Sequence, residues 1–382
     1  MYRLDEHAWM VNDGVRMGAY EAALRRAIQP GCTVLDIGTG TGIFALLAAQ
    51  LGASRVYALE PSEIIYAAEW IARDNALDDR IRFLRSASFE AQLPERVDVI
   101  ISDLHGVLPI FGRHIPTLID ARRRFLAAGG ALIPRRETLW GALLSLPEWY
   151  DQRIGGLGDL VPGLDLGMLR RALANSTHRV RFGADALLGE PRRWAELDYA
   201  AIESPDVQAD MGWTIAEPGL AHGIGLWFES ELDSQAVLST RPGGPESVYA
   251  RLFLPFLHPL DLLPGDSVEV RLRAKLMGDD YLWRWDTSVV AGGDSRQKKA
   301  QLAQSTYYAA LLSPEQLRTQ ADDYVPALTE DGAWMRYVLC ALNEGKSLGC
   351  IAEAAATQFA TRFQDQEAAL LAVRSMAQQF AR

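Results

Sequence analysis

The sequence predicts an α/β domain with a doubly wound parallel sheet, followed by an antiparallel β domain and a helical C-terminal domain. Three observations carry this. Val34-Leu35-Asp36-Ile37 leads into glycines at Gly38, Gly40 and Gly42, then into a helix-like run from Ile43 to Ala49. Short apolar strands then alternate with helical stretches up to about residue 134, the pattern of a parallel sheet with crossover helices. After Thr138 polar and apolar residues alternate between Pro-Gly turns, as antiparallel strands with one wet face do.

Residues 1–28 read as helical, with Ala19 to Ile28 rich in alanine and arginine and ending at Pro30-Gly31, a turn pair. The α/β domain spans 29–140. Its glycines let the backbone turn sharply after the first strand and let a flat ligand approach closely. The dinucleotide fingerprint would need glycine at position 43, where the chain has Ile43, so a nicotinamide enzyme is disfavoured. The second strand, Arg55 to Leu59, ends in Glu60; an acid there accepts hydrogen bonds from ribose hydroxyls. A helix from Ile64 to Asn75 and a third strand, Ile81 to Leu84, follow. The fourth strand, Val97 to Ser102, is apolar on both faces, as buried parallel strands are. Gly129-Gly130 marks a turn before a last core strand, Ala131 to Pro134.

The β domain is expected over 141–290, with strands at Gly223–Phe228, Val248–Leu254 and Ser267–Arg273 and a helical insertion near 160–176. From 291 to 382 the chain reads as helical after a linker at 292–296, with helices at about 313–322, 330–343, 347–360 and 364–381. Ser313 is placed as an N-cap before Pro314.

The 382 residues are 49% hydrophobic and 23% charged, which fits two or three globular domains. No apolar run reaches the ~18 residues of a membrane helix, and no signal-peptide pattern opens the chain. Three cysteines without metal-ligand spacing point to a reducing cytoplasm, and the scattered histidines give no metal cluster. A net charge of -11 disfavours nucleic acid as a partner. Arg122-Arg123-Arg124 reads as a solvated helical face.

The glycine turn resembles motif I of class I S-adenosylmethionine-dependent methyltransferases, and residues 1 to about 290 resemble the protein arginine methyltransferase family. The resemblance runs through Met10-Val11-Asn12-Asp13-Gly14-Val15-Arg16-Met17, Leu59-Glu60-Pro61-Ser62, Asn75 to Ile81, Leu93 to Ser102 and Pro134 to Leu139. It implies a Rossmann-like domain, a β-barrel-like domain with a helical dimerisation arm, and S-adenosyl-L-methionine as cofactor. It also implies Arg16 on the cofactor carboxylate, a task that suits a guanidinium, with Asp36, Gly38, Gly40 and Glu60 completing the cofactor site. A family glutamate that meets the adenine amine is replaced by Phe89, followed by Glu90; Glu90 and Ser88 are the candidates for that contact.

The loop after the fourth strand, Ser102 to Arg113, departs from the family. The first of its two glutamates becomes Asp103 and the second becomes Gly112, with Arg113 beside it. The family's threonine-histidine-tryptophan triplet is absent, with Ser247-Val248-Tyr249 near its place. A guanidinium is best held by paired carboxylates. The expected activity is therefore methyl transfer to an N or O nucleophile of a small molecule or peptide other than protein arginine. Asp103 would orient the acceptor and His105 take a proton. Arg113 and His114 read as a solvated pair.

The C-terminal segment is similar to the helical part of the small peptide chaperones of pyrroloquinoline quinone biosynthesis, through Asn343-Glu344-Gly345-Lys346-Ser347-Leu348 and the helices that follow. That implies a bacterial peptide or natural-product acceptor; a helical cap or dimer element is the other reading. A methyltransferase fold that serves only as a scaffold, and a divergent protein arginine methyltransferase, are the alternative functions.

Overall fold

The computed structural model describes residues 3–157, 163–293, 297–310, 313–319 and 321–381. The chain forms two units, Met1–Ala310 and Leu311–Arg382.

The first unit opens with α1 (Leu4–Asn12) and α2 (Gly14–Ala27). Asp13 lies between them and caps α2, one carboxylate oxygen accepting from the Val15 and Arg16 amides at 3.0 Å. Its other oxygen accepts from the Val248 amide at 2.7 Å. Arg16, Tyr20, Ala23 and Leu24 are the buried residues of α2, the spacing of one helix face. Arg16 is thus set by its own cap and by a contact from the β domain.

The α/β domain follows as β1 (Thr33–Ile37), α3 (Ile43–Gln50), β2 (Arg55–Leu59), α4 (Ile65–Asp74), β3 (Ile81–Leu84), β4 (Val97–Ser102), α5 (His114–Phe125) and β5 (Leu126–Ile133). The strands pair in parallel in the order β3-β2-β1-β4-β5. Strand order reverses between β1 and β4, so the glycine turn after β1 and the loop after β4 meet at the crevice where such sheets bind ligands. Gly129 and Gly130 are not a turn before the last strand; they lie within β5, where its register against β4 slips. The extra residues make a bulge.

The β domain contains β6 (Arg136–Leu144), α6 (Pro147–Tyr150), α7 (Gly167–Ala174), β7 (His178–Val180), β8 (Leu187–Asp198), β9 (Val207–Thr214), β10 (Gly219–Glu231), β11 (Val237–Ser239), β12 (Arg251–Leu262), β13 (Ser267–Met277), β14 (Asp280–Val290) and β15 (Lys298–Ser305). One antiparallel sheet runs β7-β12-β10-β6-β8, with β11 on β10; the other runs β15-β14-β13-β9. In β13 Val268, Val270, Leu272 and Ala274 are buried, while Glu269, Arg271, Arg273 and Lys275 are exposed. This is the alternation that the sequence shows.

Two boundaries move. β12 begins at Arg251, so residues 248–250 lie outside the strand expected there. β15 carries the β domain past residue 290 to the end of the first unit at Ala310. Residues 294–296 of the expected linker and 160–162 of the expected arm lie outside the described residues. A single hydrophobic core joins Leu35, Ile100 and Ile115 of the α/β half to Leu139, Phe228 and Trp285 of the β half. Burial across that seam makes the two halves one cooperative body.

The second unit holds α8 (Pro314–Thr319), α9 (Glu330–Asn343), α10 (Leu348–Gln358) and α11 (Gln366–Phe380). Trp334, Val338, Ile351, Ala355, Phe359 and Val373 form its core. Thr329, Ser347 and Asp365 cap the last three helices. Its described residues contain no strand, so the edge to which an extended peptide could be added is not among them.

Candidate functional site

All three turn glycines have positive φ: Gly38 at 73°, Gly40 at 54° and Gly42 at 81°. Only glycine adopts such angles without strain. A Cβ on Gly38 would sit 2.2 Å from a methyl of Leu104, and one on Gly40 would sit 2.8 Å from the His7 ring. Side chains from the loop after β4 and from α1 therefore close directly onto the turn.

Asp36 lies beneath this turn, not on its open face. Its Oδ2 accepts from Thr39 Oγ1 at 2.5 Å and from the Ala45 amide at 3.1 Å, tying β1 to the first turn of α3. It braces the turn. Burial is the main influence on its carboxyl, raising its pKa to about 7 against the pull of those two hydrogen bonds and Arg16. Folding thus takes up a proton, and the stability this gives is full below 3.8 and lost as pH rises through about 7. Asp36→Asn keeps an acceptor but cannot ionise. Melting curves between about pH 5 and pH 8 are expected to show the wild type losing stability relative to the variant as pH rises; parallel curves would contradict this placement.

Glu60 faces the turn from the end of β2. Its Oε2 accepts from the Gly40 amide at 3.2 Å and its Oε1 from the Ser62 amide at 2.9 Å. His7, absent from the sequence expectations, is packed over the same point. Burial lowers its pKa, with Arg16 adding to that effect and Glu60 and Glu6 opposing it. Its only sequence signal is a position nine residues before Arg16 in the N-terminal helices.

Beyond β3, Ser88 is buried and its Oγ has no hydrogen-bond partner among the described residues. Glu90 is exposed, and Phe89 lies under the Arg113 guanidinium at 4.4 Å. Arg113 also pairs with Asp279 at 3.5 Å. Arg113 stays exposed beside these contacts, as expected, whereas His114 is buried against the Tyr199 hydroxyl at 2.9 Å; the two are therefore not a solvated pair. Burial drives the His114 pKa well below the ordinary value, and His105 nearby adds to the effect. Arg122 also departs from the solvated face expected of it, donating to the Tyr199 carbonyl at 2.7 Å and pairing with Glu203.

Arg16 and Asp103 form the buried heart of the site. Arg16 Nε is 2.5 Å from Asp103 Oδ2, with side-chain exposures of 6% and 8%. Arg16 also donates to the Met10 carbonyl at 3.0 Å and lies over the Phe44 ring at 4.7 Å. The Tyr249 hydroxyl is 2.6 and 2.8 Å from the two Asp103 oxygens. Burial alone would raise the Asp103 pKa, but Arg16, His105 and Tyr249 together hold it below the usual range. Asp103 is therefore a carboxylate. Tyr249, which stands near the place of the missing triplet, is a site residue that the sequence reading left unassigned.

His105 is fully buried, its ring 4.9 Å from Phe228 and 5.1 Å from Tyr249. The nearby Glu137 of β6 is buried to the same degree and accepts from the Tyr199 hydroxyl. Among the described residues no group of three or more His, Cys, Asp or Glu side chains is arranged to hold a metal ion, and no helix is long and apolar enough to cross a membrane.

The donor set fits an adenosyl amino-acid sulfonium. A carboxylate at the end of β2 suits a ribose diol, the glycine turn admits close approach, and the unpartnered Ser88 hydroxyl lies beyond β3. The guanidinium of Arg16 suits a carboxylate.

Residues 21–134 match the family model described as ribosomal protein L11 methyltransferase. Protein arginine N-methyltransferase 6 of Xenopus laevis is 30% identical over 263 residues, 65% of this chain and 77% of that protein. The probable protein arginine N-methyltransferase 3 of Arabidopsis thaliana is 29% identical over 309 residues, 72% of this chain but only 50% of that protein. Two solved structures share the fold. Arabidopsis thaliana protein arginine methyltransferase 10, in an open conformation, aligns over 80% of this chain and 98% of its own at TM-score 0.68 and 21% identity. The Trypanosoma brucei PRMT1 enzyme-prozyme heterotetrameric complex with AdoHcy aligns over 78% of this chain and 96% of that chain at TM-score 0.70 and 20% identity.

Proposed function

We infer the activity from one premise: the chain belongs to the protein arginine methyltransferase family. It is an S-adenosylmethionine-dependent methyltransferase, and we propose that its acceptor is an arginine guanidinium nitrogen. The observation that carries this reading is Asp103, buried, ionised and fixed by Arg16 and Tyr249 at the carboxyl end of β4.

S-adenosylmethionine supplies the electrophilic methyl group when bound. Glu60 would hold its ribose, the turn at Gly38 and Gly40 its backbone-facing edge, Ser88 or Glu90 its adenine, and Arg16 its carboxylate. Asp103 receives an N–H of the acceptor and turns the nitrogen lone pair toward the methyl group, which is the positioning such displacements need. Arg16 keeps Asp103 charged, so the acceptor meets an acceptor-only oxygen. Leu104, against Gly38, helps to exclude water.

The expectation of an acceptor other than protein arginine rested on Asp103 in place of the first glutamate, on Gly112 and Arg113, and on the absent triplet. It is weakened by the relatives, which are named as protein arginine methyltransferases. Gly112 remains a reason for a second reading, a small-molecule or peptide nucleophile that needs only one carboxylate. Incubation with radiolabelled S-adenosylmethionine separates them. One acceptor is an arginine-containing peptide, the second is its lysine-substituted form, and the third is a panel of amines and hydroxy compounds. Label confined to the arginine peptide supports the first reading, and label only in the panel supports the second. No label and no calorimetric binding of S-adenosylmethionine would leave a scaffold role.

A homodimer through the helical arm is the partner proposal. Leu164, Met168 and Leu169 are exposed there, more apolar surface than an isolated short helix normally leaves in water. Leu169→Glu is expected to shift sedimentation from dimer toward monomer; an unchanged profile would place any dimer contact elsewhere.

A further inference from the structure

The His105 ring nitrogens and one carboxylate oxygen of Glu137 are buried without a hydrogen-bond partner among the described residues, and neither residue is used by the donor site. His105 Nε2 stands 3.3 Å from Glu137 Oε1 and 3.5 Å from Asp103 Oδ1. It forms a hydrogen bond with neither, and Glu137 Oε1 is likewise without a partner among the described residues. One ring nitrogen thus lies between two carboxylates, within a small rotation of either. An unmade bond between buried polar groups is costly, so such a donor is drawn to one side or the other.

Asp103 needs the choice to go one way. Its Oδ2 takes Arg16, and its Oδ1 is shared with the Tyr249 hydroxyl. A carboxylate oxygen has about two lone-pair sites, so a bond from His105 to Oδ1 would fill the place an acceptor N–H must use.

We propose that Glu137 is a positioning residue for methyl transfer: it draws the His105 N–H to itself and leaves Asp103 Oδ1 open to the acceptor. Glu137 is fixed for this on β6 by the Tyr199 hydroxyl at its other oxygen. The groups that face it are His105 and Asp103 from the loop after β4, His114 of α5 at 4.0 Å, Tyr199 after β8, Tyr20 of α2, and the buried hydroxyl of Ser230, which stands opposite it on β10. Burial raises the Glu137 pKa, with Asp103 adding to the effect and His105, Tyr199 and Ser230 working against it. Protonation of Glu137 on acidification therefore removes the draw on His105 while Asp103, held low by Arg16, stays charged. This inference rests on the methyltransferase reading of the same site.

The test uses the full chain, S-adenosylmethionine and the arginine-containing peptide, with a second readout that does not need turnover. Glu137→Gln is isosteric and is expected to lower kcat about tenfold or more, with KM for S-adenosylmethionine within about twofold. Glu137→Asp is expected to recover part of the loss. Wild-type kcat should fall on the acid side as Glu137 protonates, and Glu137→Gln should lack that limb. Independently, 15N-histidine spectra of the chain, with His105 assigned from the His105→Gln variant, should show the His105 Nε2 resonance displaced in Glu137→Gln and near its place in Glu137→Asp. An unmoved resonance, or an acid limb that persists in Glu137→Gln, overturns the proposal. Should no acceptor be labelled, the activity reading fails by itself, and the resonance still decides whether Glu137 holds His105.

Discussion

Asp103→Ala is expected to abolish methyl transfer and to destabilise the protein by about 3–5 kcal/mol, the usual cost of removing one partner from a buried ion pair. The side chain of Arg16 stays behind without a counter-charge, its remaining company being neutral groups: the Met10 carbonyl, the Tyr249 hydroxyl at 3.3 Å and the Phe44 face. A guanidinium cannot shed its charge to escape burial. Asp103→Asn keeps the volume and one acceptor oxygen, so its stability loss should be smaller while transfer remains severely impaired. Chemical denaturation measures the first effect and single-turnover label transfer the second. A wild-type denaturation midpoint in Asp103→Ala would mean that the pair at 2.5 Å is not what holds Arg16.

The second large effect is expected at Glu60. Glu60→Ala removes the carboxylate that receives the Gly40 amide and would receive the ribose. Hydrogen bonds to a charged group contribute about 1.5–3 kcal/mol, so affinity for S-adenosylmethionine should weaken by roughly ten- to a hundredfold. The fold should lose less, because Glu60 is only partly buried and its protein partners are two amides at the surface of the turn. Isothermal calorimetry reads the constant, and binding as tight as wild type would remove Glu60 from the cofactor site.

The architecture could be read from the chain where periodicity and spacing carry it. The glycines at every second position, Glu60 after the second strand and the apolar fourth strand mark the parallel sheet and the turn after its first strand. What failed was side-chain environment. His105 in the loop after β4 and His114 at the start of α5 look like surface histidines in the sequence, yet both side chains are fully buried. Those outcomes depend on β6, β8 and β10 arriving from more than twenty residues away, which local pattern does not encode. Asp36 is expected at the ligand because it precedes the glycines; that its Oδ2 is taken by Thr39 and the Ala45 amide depends on how β1 and α3 pack, which the motif alone does not encode. The domain limit at 290 missed β15 because Lys298-Lys299 and two glutamines make an edge strand look like polar linker.

Asp13 has a consequence for how this chain could be rebuilt. One small carboxylate both starts α2 and receives an amide from residue 248, so the arginine three positions on inherits its place from a segment more than two hundred residues away. The donor half is therefore not a portable module. Grafting it onto another acceptor domain would leave the helix start, and the Arg16 side chain that follows it, without their far anchor even though every donor-half residue had been kept.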